Sequence, residues 1–349
     1  MFHPDADSMR ARMVNEASMH QGKMAADLCS PTMSRPKKAI PDLIAAIVTP
    51  LRADESLDVE SLERLVDWVL RGGVGGFFVG GTMGEGLALR DTERERIVRE
   101  TVRLVRGRAL VLAGISDTGT RRLLDGIARV ADAGVDGIVT TARLVFPTRE
   151  RGDTIRLVEA AARQSPVPLW FYENPMMTPV RSTFDELQRI MDVPNVHGLK
   201  ITTPDRDLCL QCANAFRGKH PVYNGNARDI AFAGQHNIGA LVGIAGMLPG
   251  LCARIWWNAR SGDLAAAERL QRQVQEVYDI YLGESWPLWP SAQKYALRRL
   301  GIFSTSTSTA PFATLSAEEE RRIDAILDRL DRSIYDPLEP RAPIPSSGT

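Results

Sequence analysis

From Leu43 onward, short apolar runs alternate with longer amphipathic segments. The apolar runs Leu43–Val48, Gly76–Val79, Ala109–Ala113, Gly137–Thr140, Leu169–Tyr172, Val196–Lys200, Val222–Tyr223 and Ala240–Val242 predict strands. They show no inside–outside alternation, as expected when both faces of a strand are buried. The segments between them carry helical periodicity. They predict helices over Val59–Arg71, Asp91–Arg106, Thr120–Ala133, Asp153–Gln164, Thr183–Met191, Asp205–Phe216, Asp229–His236 and Leu251–Ser261. Eight βα units in about 220 residues are the size of a (β/α)8 TIM barrel. An open doubly wound sheet would instead need a glycine-rich phosphate turn after the first strand, where Thr49-Pro50-Leu51 stands.

Beyond the eighth unit, Asp263–Leu282, Pro287–Leu300 and Ala317–Asp331 predict a C-terminal helical appendage. The expected organisation is therefore an extension over 1–38, a barrel over 39–262, helices over 263–334 and a Pro- and Ser-rich tail over 335–349. The extension holds six of the methionines and lacks the apolar core of a secretory signal. It reads as disordered or as an over-extended translation start, and its acidic residues fit an organelle transit peptide poorly. No window is apolar enough over the length needed to span a bilayer.

Composition changes little in this picture: 44% hydrophobic and 25% charged residues are ordinary for a globular chain. Forty-three basic and 43 acidic residues cancel, which argues against general polyanion binding. Four cysteines suggest a reducing compartment, and hence a cytoplasmic location, rather than a disulfide scaffold. Cys209-Leu-Gln-Cys212 has CxxC spacing but no second pair, and the five histidines form no ligand motif, so no metal is expected.

The candidate chemistry lies at the strand ends, where such barrels carry their active sites. Lys200 closes the sixth strand, and an amine there loses hydration. Desolvation lowers its pKa and makes it a nucleophile toward carbonyls. Tyr172 closes the fifth strand and is a candidate proton shuttle for it. After the second strand, Gly80-Gly-Thr-Met-Gly-Glu-Gly86 can present backbone N–H groups to an anion. The loop lacks the Lys-Ser/Thr ending of a P-loop, so a carboxylate fits better than a nucleotide.

Four motifs in register, Gly81-Thr-Met-Gly-Glu85, Tyr172-Glu-Asn-Pro175, Gly198-Leu-Lys200 and Asn224-Gly225, resemble the dihydrodipicolinate synthase / N-acetylneuraminate lyase family. The resemblance runs from about Ile40 to Leu330. It implies cofactor-free Schiff-base chemistry on a 2-oxo acid, typically pyruvate. Lys200 would form the imine, Tyr172 would relay protons, and Thr82 with the N–H groups around Met83 and Gly84 would hold the carboxylate or the relay. Leu241 would pack beside the imine, and Asn174 and Asn224 belong to the same motifs. Glu85 is expected to hold loop backbone. The family also implies a homotetramer or homodimer, with no nucleic acid or membrane partner.

Three departures bear on the substrate. Met83 stands where dihydrodipicolinate synthases usually carry a second hydroxyl residue. The loop Thr141-Ala-Arg-Leu-Val-Phe146 has no tyrosine, and no arginine follows Pro175 closely, Arg181 being too far along. Met83, the Arg143 to Phe146 loop and the Tyr-x-Asn-Pro motif look more like hydratase-aldolases that release pyruvate and an aromatic aldehyde. Met83, Phe146, Met176 and Met177 would then form an adaptable apolar mouth, or else pack against a neighbouring subunit. The leading expectation is an aldolase or hydratase-aldolase acting on pyruvate and an apolar or aromatic aldehyde. The alternatives are a 2-keto-3-deoxy sugar-acid lyase or dehydratase, in which Arg143 and Asn226 would serve substrate oxygens, a 4-hydroxy-tetrahydrodipicolinate synthase, and a non-catalytic 2-oxo-acid-binding protein.

Overall fold

The computed structural model describes residues 40–145, 152–282, 289–312, 314–330 and 332–338. The expected extension over 1–38 and most of the tail after 335 lie outside them. Eight strands form one closed parallel barrel in chain order. They are β1 (Leu43–Ala46), β2 (Gly76–Val79), β3 (Leu110–Gly114), β4 (Gly137–Thr141), β5 (Leu169–Glu173), β6 (Val196–Ile201), β7 (Val222–Asn224) and β8 (Gly239–Val242). Closure is direct: Ile44 is in register with Gly76 on one side and Leu241 on the other.

The helices of the barrel are α1 (Val59–Arg71), α2 (Asp91–Val105), α3 (Thr120–Val130), α4 (Gly152–Gln164), α5 (Phe184–Met191), α6 (Arg206–Phe216), α7 (Ile230–Gln235) and α8 (Pro249–Arg260). Their starts follow from side-chain caps. The Asp58 carboxylate accepts the Ser61 N–H, Asp205 accepts that of Leu208, and Thr183 forms a reciprocal capping box with Glu186. Each such cap stabilises its helix by about 1 kcal/mol.

The strands are buried along nearly their whole length, His197 being the exposed exception. Phe77, Phe171, Ile44 and Leu112 have no solvent exposure, and each such side chain contributes roughly 1.5–3 kcal/mol of hydrophobic stabilisation. The uninterrupted apolar runs of the sequence are therefore core on both faces, as anticipated. One boundary needs correction. Lys200 does not close β6, because the strand runs on to Ile201 and the Thr202 N–H then donates to Glu173 O. Lys200 is thus held by ladder residues on both sides.

From Ile40 the chain forms one compact unit. The helices α9 (Leu264–Leu282), α10 (Trp289–Arg299) and α11 (Ala317–Arg329) belong to it. The strap between α10 and α11 lies over the β1 side of the barrel. Arg64 Nε donates to Ile302 O at 2.7 Å, the Ser304 N–H to Ser61 Oγ at 3.0 Å, and Thr305 Oγ1 to Leu51 O at 2.6 Å. The chain is described to Leu338, whose N–H donates to Arg71 O at 3.0 Å.

Candidate active site

Register brings the amine and the phenol together. Tyr172 and Lys200 are Cα partners on neighbouring parallel strands, so their side chains leave the same face about 4.8 Å apart at the backbone. A register shift at Leu169/Trp170 precedes them and sets that pairing. Lys200 Nζ lies 4.0 Å from the Tyr172 ring centroid and 5.0 Å from that of Phe78. Phe78 meets Tyr172 edge-on, with ring centroids 6.2 Å apart.

Lys200 is 5% exposed, and burial alone pulls its amine down to about 7. The two ring faces favour the cation by roughly 1–2 kcal/mol, which opposes desolvation without cancelling it. Both protonation states are therefore populated near neutral pH. Tyr172 is moved the other way: burial holds its phenol well above the usual range, so it keeps its proton. Its oxygen is surrounded by partners. Thr202 Oγ1 lies 3.2 Å away, Asn174 Nδ2 donates at 2.9 Å, and the Thr82 hydroxyl also bears on it.

The cleft around these groups is lined by the side chains of Phe78, Thr82, Met83, Met176, Met177 and Ile244, with Tyr278 and Gln293 from the appendage. Among the described lining residues Lys200 is the one cation. Thr82 and Met83 ride on the loop after β2, folded back tightly: Gly86 N–H donates to Gly81 O, and a Cβ on Gly86 would collide with Gly80 O. Thr49 Oγ1 donates to Gly84 O at 2.6 Å, which fixes that peptide. Neither the Met83 nor the Gly84 N–H finds a backbone acceptor among the described residues. Gly225 borders the lysine: a Cβ there would stand 2.9 Å from Lys200 Cε and collide with Thr202 Oγ1.

The structure thus gathers Lys200, Tyr172, Thr82, Met83 and Asn174 in one cleft. Asn174 is largely committed to the phenol and to the Met176 N–H, at 3.3 Å. Asn224 is turned into its own loop, donating to Asn226 O at 2.8 Å and accepting the Asn226 N–H at 3.1 Å. Asn226 in turn donates to Asp229 Oδ2. Leu241 has no exposure and sits in the β8 ladder rather than in the cleft lining. Arg143 is half-buried and is not among the lining residues either, and Arg181 is exposed. Phe146 lies outside the described residues. Sequence reasoning missed Thr202, Tyr278 and Gln293. Thr202 stands two residues after Lys200 and is readable there; the other two come from helices far along the chain and carry no local signal.

Residues 39–330 match the Dihydrodipicolinate synthetase family. The chain belongs to that family. The 4-hydroxy-tetrahydrodipicolinate synthase of Acidiphilium cryptum is 29% identical over 290 residues, covering 82% of this chain and 97% of that one. A solved dihydrodipicolinate synthase from Bacteroides thetaiotaomicron is 30% identical with a TM-score of 0.78, covering 84% and 99% of the two chains. The chloride-inhibited dihydrodipicolinate synthase of Acinetobacter baumannii, solved with pyruvate, is 26% identical with a TM-score of 0.76, covering 83% and 98%. Members of the family are Schiff-base lyases, and class I lyase chemistry is the activity this membership supports. Among the described residues no group of His, Cys, Asp or Glu side chains is placed to hold a metal, and no helix is long and apolar enough to cross a membrane.

Proposed function

We propose that this protein makes or breaks a carbon–carbon bond between pyruvate and an apolar or aromatic aldehyde, through an imine on Lys200. The observation that carries the reading is a buried, unpaired amine against a protonated phenol in a cleft lined in part by Met83, Met176, Met177 and Ile244. Neutral Lys200 attacks the keto carbon, and the Tyr172 phenol passes a proton to the departing hydroxide. The imine then draws electrons from the neighbouring bond, and the resulting enamine is protonated or adds to the aldehyde. The Met83 and Gly84 N–H groups seat the carboxylate, and the Thr82 hydroxyl serves the Tyr172 phenol.

A second reading, 4-hydroxy-tetrahydrodipicolinate synthase, is favoured by the names of the curated relatives. The lining offers it little, since no arginine among the described lining residues can grip a second carboxylate. Three buried free thiols, Cys209, Cys212 and Cys252, support a reducing, cytoplasmic setting.

Borohydride trapping with pyruvate, read by intact mass and peptide mapping, tests the chemistry. We expect one adduct on Lys200, and its absence would sink the imine. A substrate panel of benzylidenepyruvates, 2-keto-3-deoxy acids and pyruvate with aspartate semialdehyde then tests specificity. Turnover of only the sugar acids, or only of the semialdehyde, would reject the aromatic-aldehyde reading.

A further inference from the structure

Two consecutive residues of α10 tie the appendage to the loops around the cleft. Gln293 Nε2 donates to Gly243 O at 2.9 Å, and Lys294 Nζ pairs with Glu85 while donating to Thr307 O at 2.8 Å. Gly243 and Glu85 follow β8 and β2, the two strands that flank β1. Between them Met83 Sδ packs against Gly243, 2.6 Å from where a Cβ there would be.

The Lys294–Glu85 pair has no solvent exposure on either side chain. Glu85 Oε2 also accepts the Thr309 N–H at 2.7 Å and the Thr309 hydroxyl at 2.9 Å. Glu85 is itself held at φ 57°, and its own N–H donates to Thr82 O at 3.2 Å. The carboxylate is therefore fixed by the appendage on one side, while its backbone grips the catalytic threonine on the other. The sequence led us to expect Glu85 to hold loop backbone. The backbone its carboxylate binds is that of Thr309, in the strap between α10 and α11.

An ion pair this deep is a poor source of stability. Desolvating two charges offsets most of their attraction, and apolar replacements of similar size often match it. What the pair supplies is direction: a short, charge-assisted contact with one permitted geometry. We propose that the Lys294–Glu85 pair is a positioning device that holds the Thr82 hydroxyl at the Tyr172 phenol. Lys294 and Glu85 touch no reacting atom; they act through Thr82. This inference rests on the imine reading above and deepens it, because it ties the proton relay to the C-terminal helices.

Exchange of the pyruvate methyl protons with D2O, followed by NMR, reports the relay without any aldehyde. Borohydride trapping reports imine formation separately. The informative variant is the double substitution Glu85→Gln/Lys294→Met, which removes both charges and leaves none unpaired. We expect it to fold, to trap pyruvate at concentrations within about threefold of wild type, and to exchange roughly ten- to hundredfold more slowly. Lys294→Arg should recover part of the exchange rate. In a Thr82→Val background the double substitution should add less than twofold, because the pair has nothing left to position. Exchange within threefold of wild type, full additivity with Thr82→Val, or loss of folding in the double variant would each overturn the proposal. A wild-type protein that neither traps nor exchanges pyruvate would fail the imine reading itself, and the proposal with it.

Discussion

Two lysines of this protein are buried to nearly the same degree and are put to opposite uses. Lys294 has no exposure and Lys200 has 5%. Burial pulls both amines down from their ordinary value. Lys294 meets a carboxylate and a carbonyl, and the Glu85 carboxylate pushes back against that shift. Lys200 meets two aromatic rings and no carboxylate, so desolvation goes unopposed by any partner charge. The lesson is that burial alone does not make a lysine reactive. The counter-charge is what separates the Lys294 rivet from the proposed nucleophile.

The comparison is broken most severely at Lys200. Lys200→Met should abolish the pyruvate adduct and lower turnover on the order of a thousandfold or more. It should also stabilise the fold, because methionine fills the site without a charge. The sign follows from linkage. The depressed folded pKa means that the unfolded chain holds the extra proton between about 7 and the ordinary lysine value. Stability of the wild type therefore rises with pH across that window, and the burden is greatest below about 7. Thermal melts at pH 6 and pH 9 should show the Lys200→Met advantage large at the first and smaller at the second. An advantage that grows with pH would contradict the assigned state of the amine.

A smaller effect is expected at Tyr172. Tyr172→Phe keeps the ring beneath the amine and removes the proton, so the adduct should still form, while turnover falls by about a hundredfold to a thousandfold. Equal losses in pyruvate affinity and turnover would instead make Tyr172 a binding group. The mildest prediction is a slope. The initial rate of imine formation should rise with pH as the amine empties through about 7 and level off above it. An inflection near the ordinary lysine value would mean that burial does not depress the Lys200 amine.

Much of this was legible before any coordinates. Strands buried on both faces announce themselves as unbroken apolar runs, and a lysine or tyrosine near the end of such a run is conspicuous. What periodicity does not carry is register. The pairing of Tyr172 with Lys200 depends on the irregularity at Leu169/Trp170, which nothing in Pro168-Leu-Trp-Phe-Tyr172 reveals. Side-chain direction was also hidden. Asn224 and Asn174 look alike in sequence, yet one braces its own turn and the other serves the phenol. Tyr278 and Gln293 were invisible because their meaning depends on where α9 and α10 dock.

Gly225 leaves a last consequence. The space beside the Lys200 stem is kept open by a residue that contributes no side chain, whereas three methionines line the cleft nearby. A saturation library should therefore divide sharply. Position 225 should tolerate almost nothing, since even alanine would crowd Lys200 and Thr202. Positions 83, 176 and 177 should accept broad replacement with altered aldehyde choice. Such a division lets a lineage explore new substrates while the imine chemistry stays fixed, and it identifies where an engineer should begin.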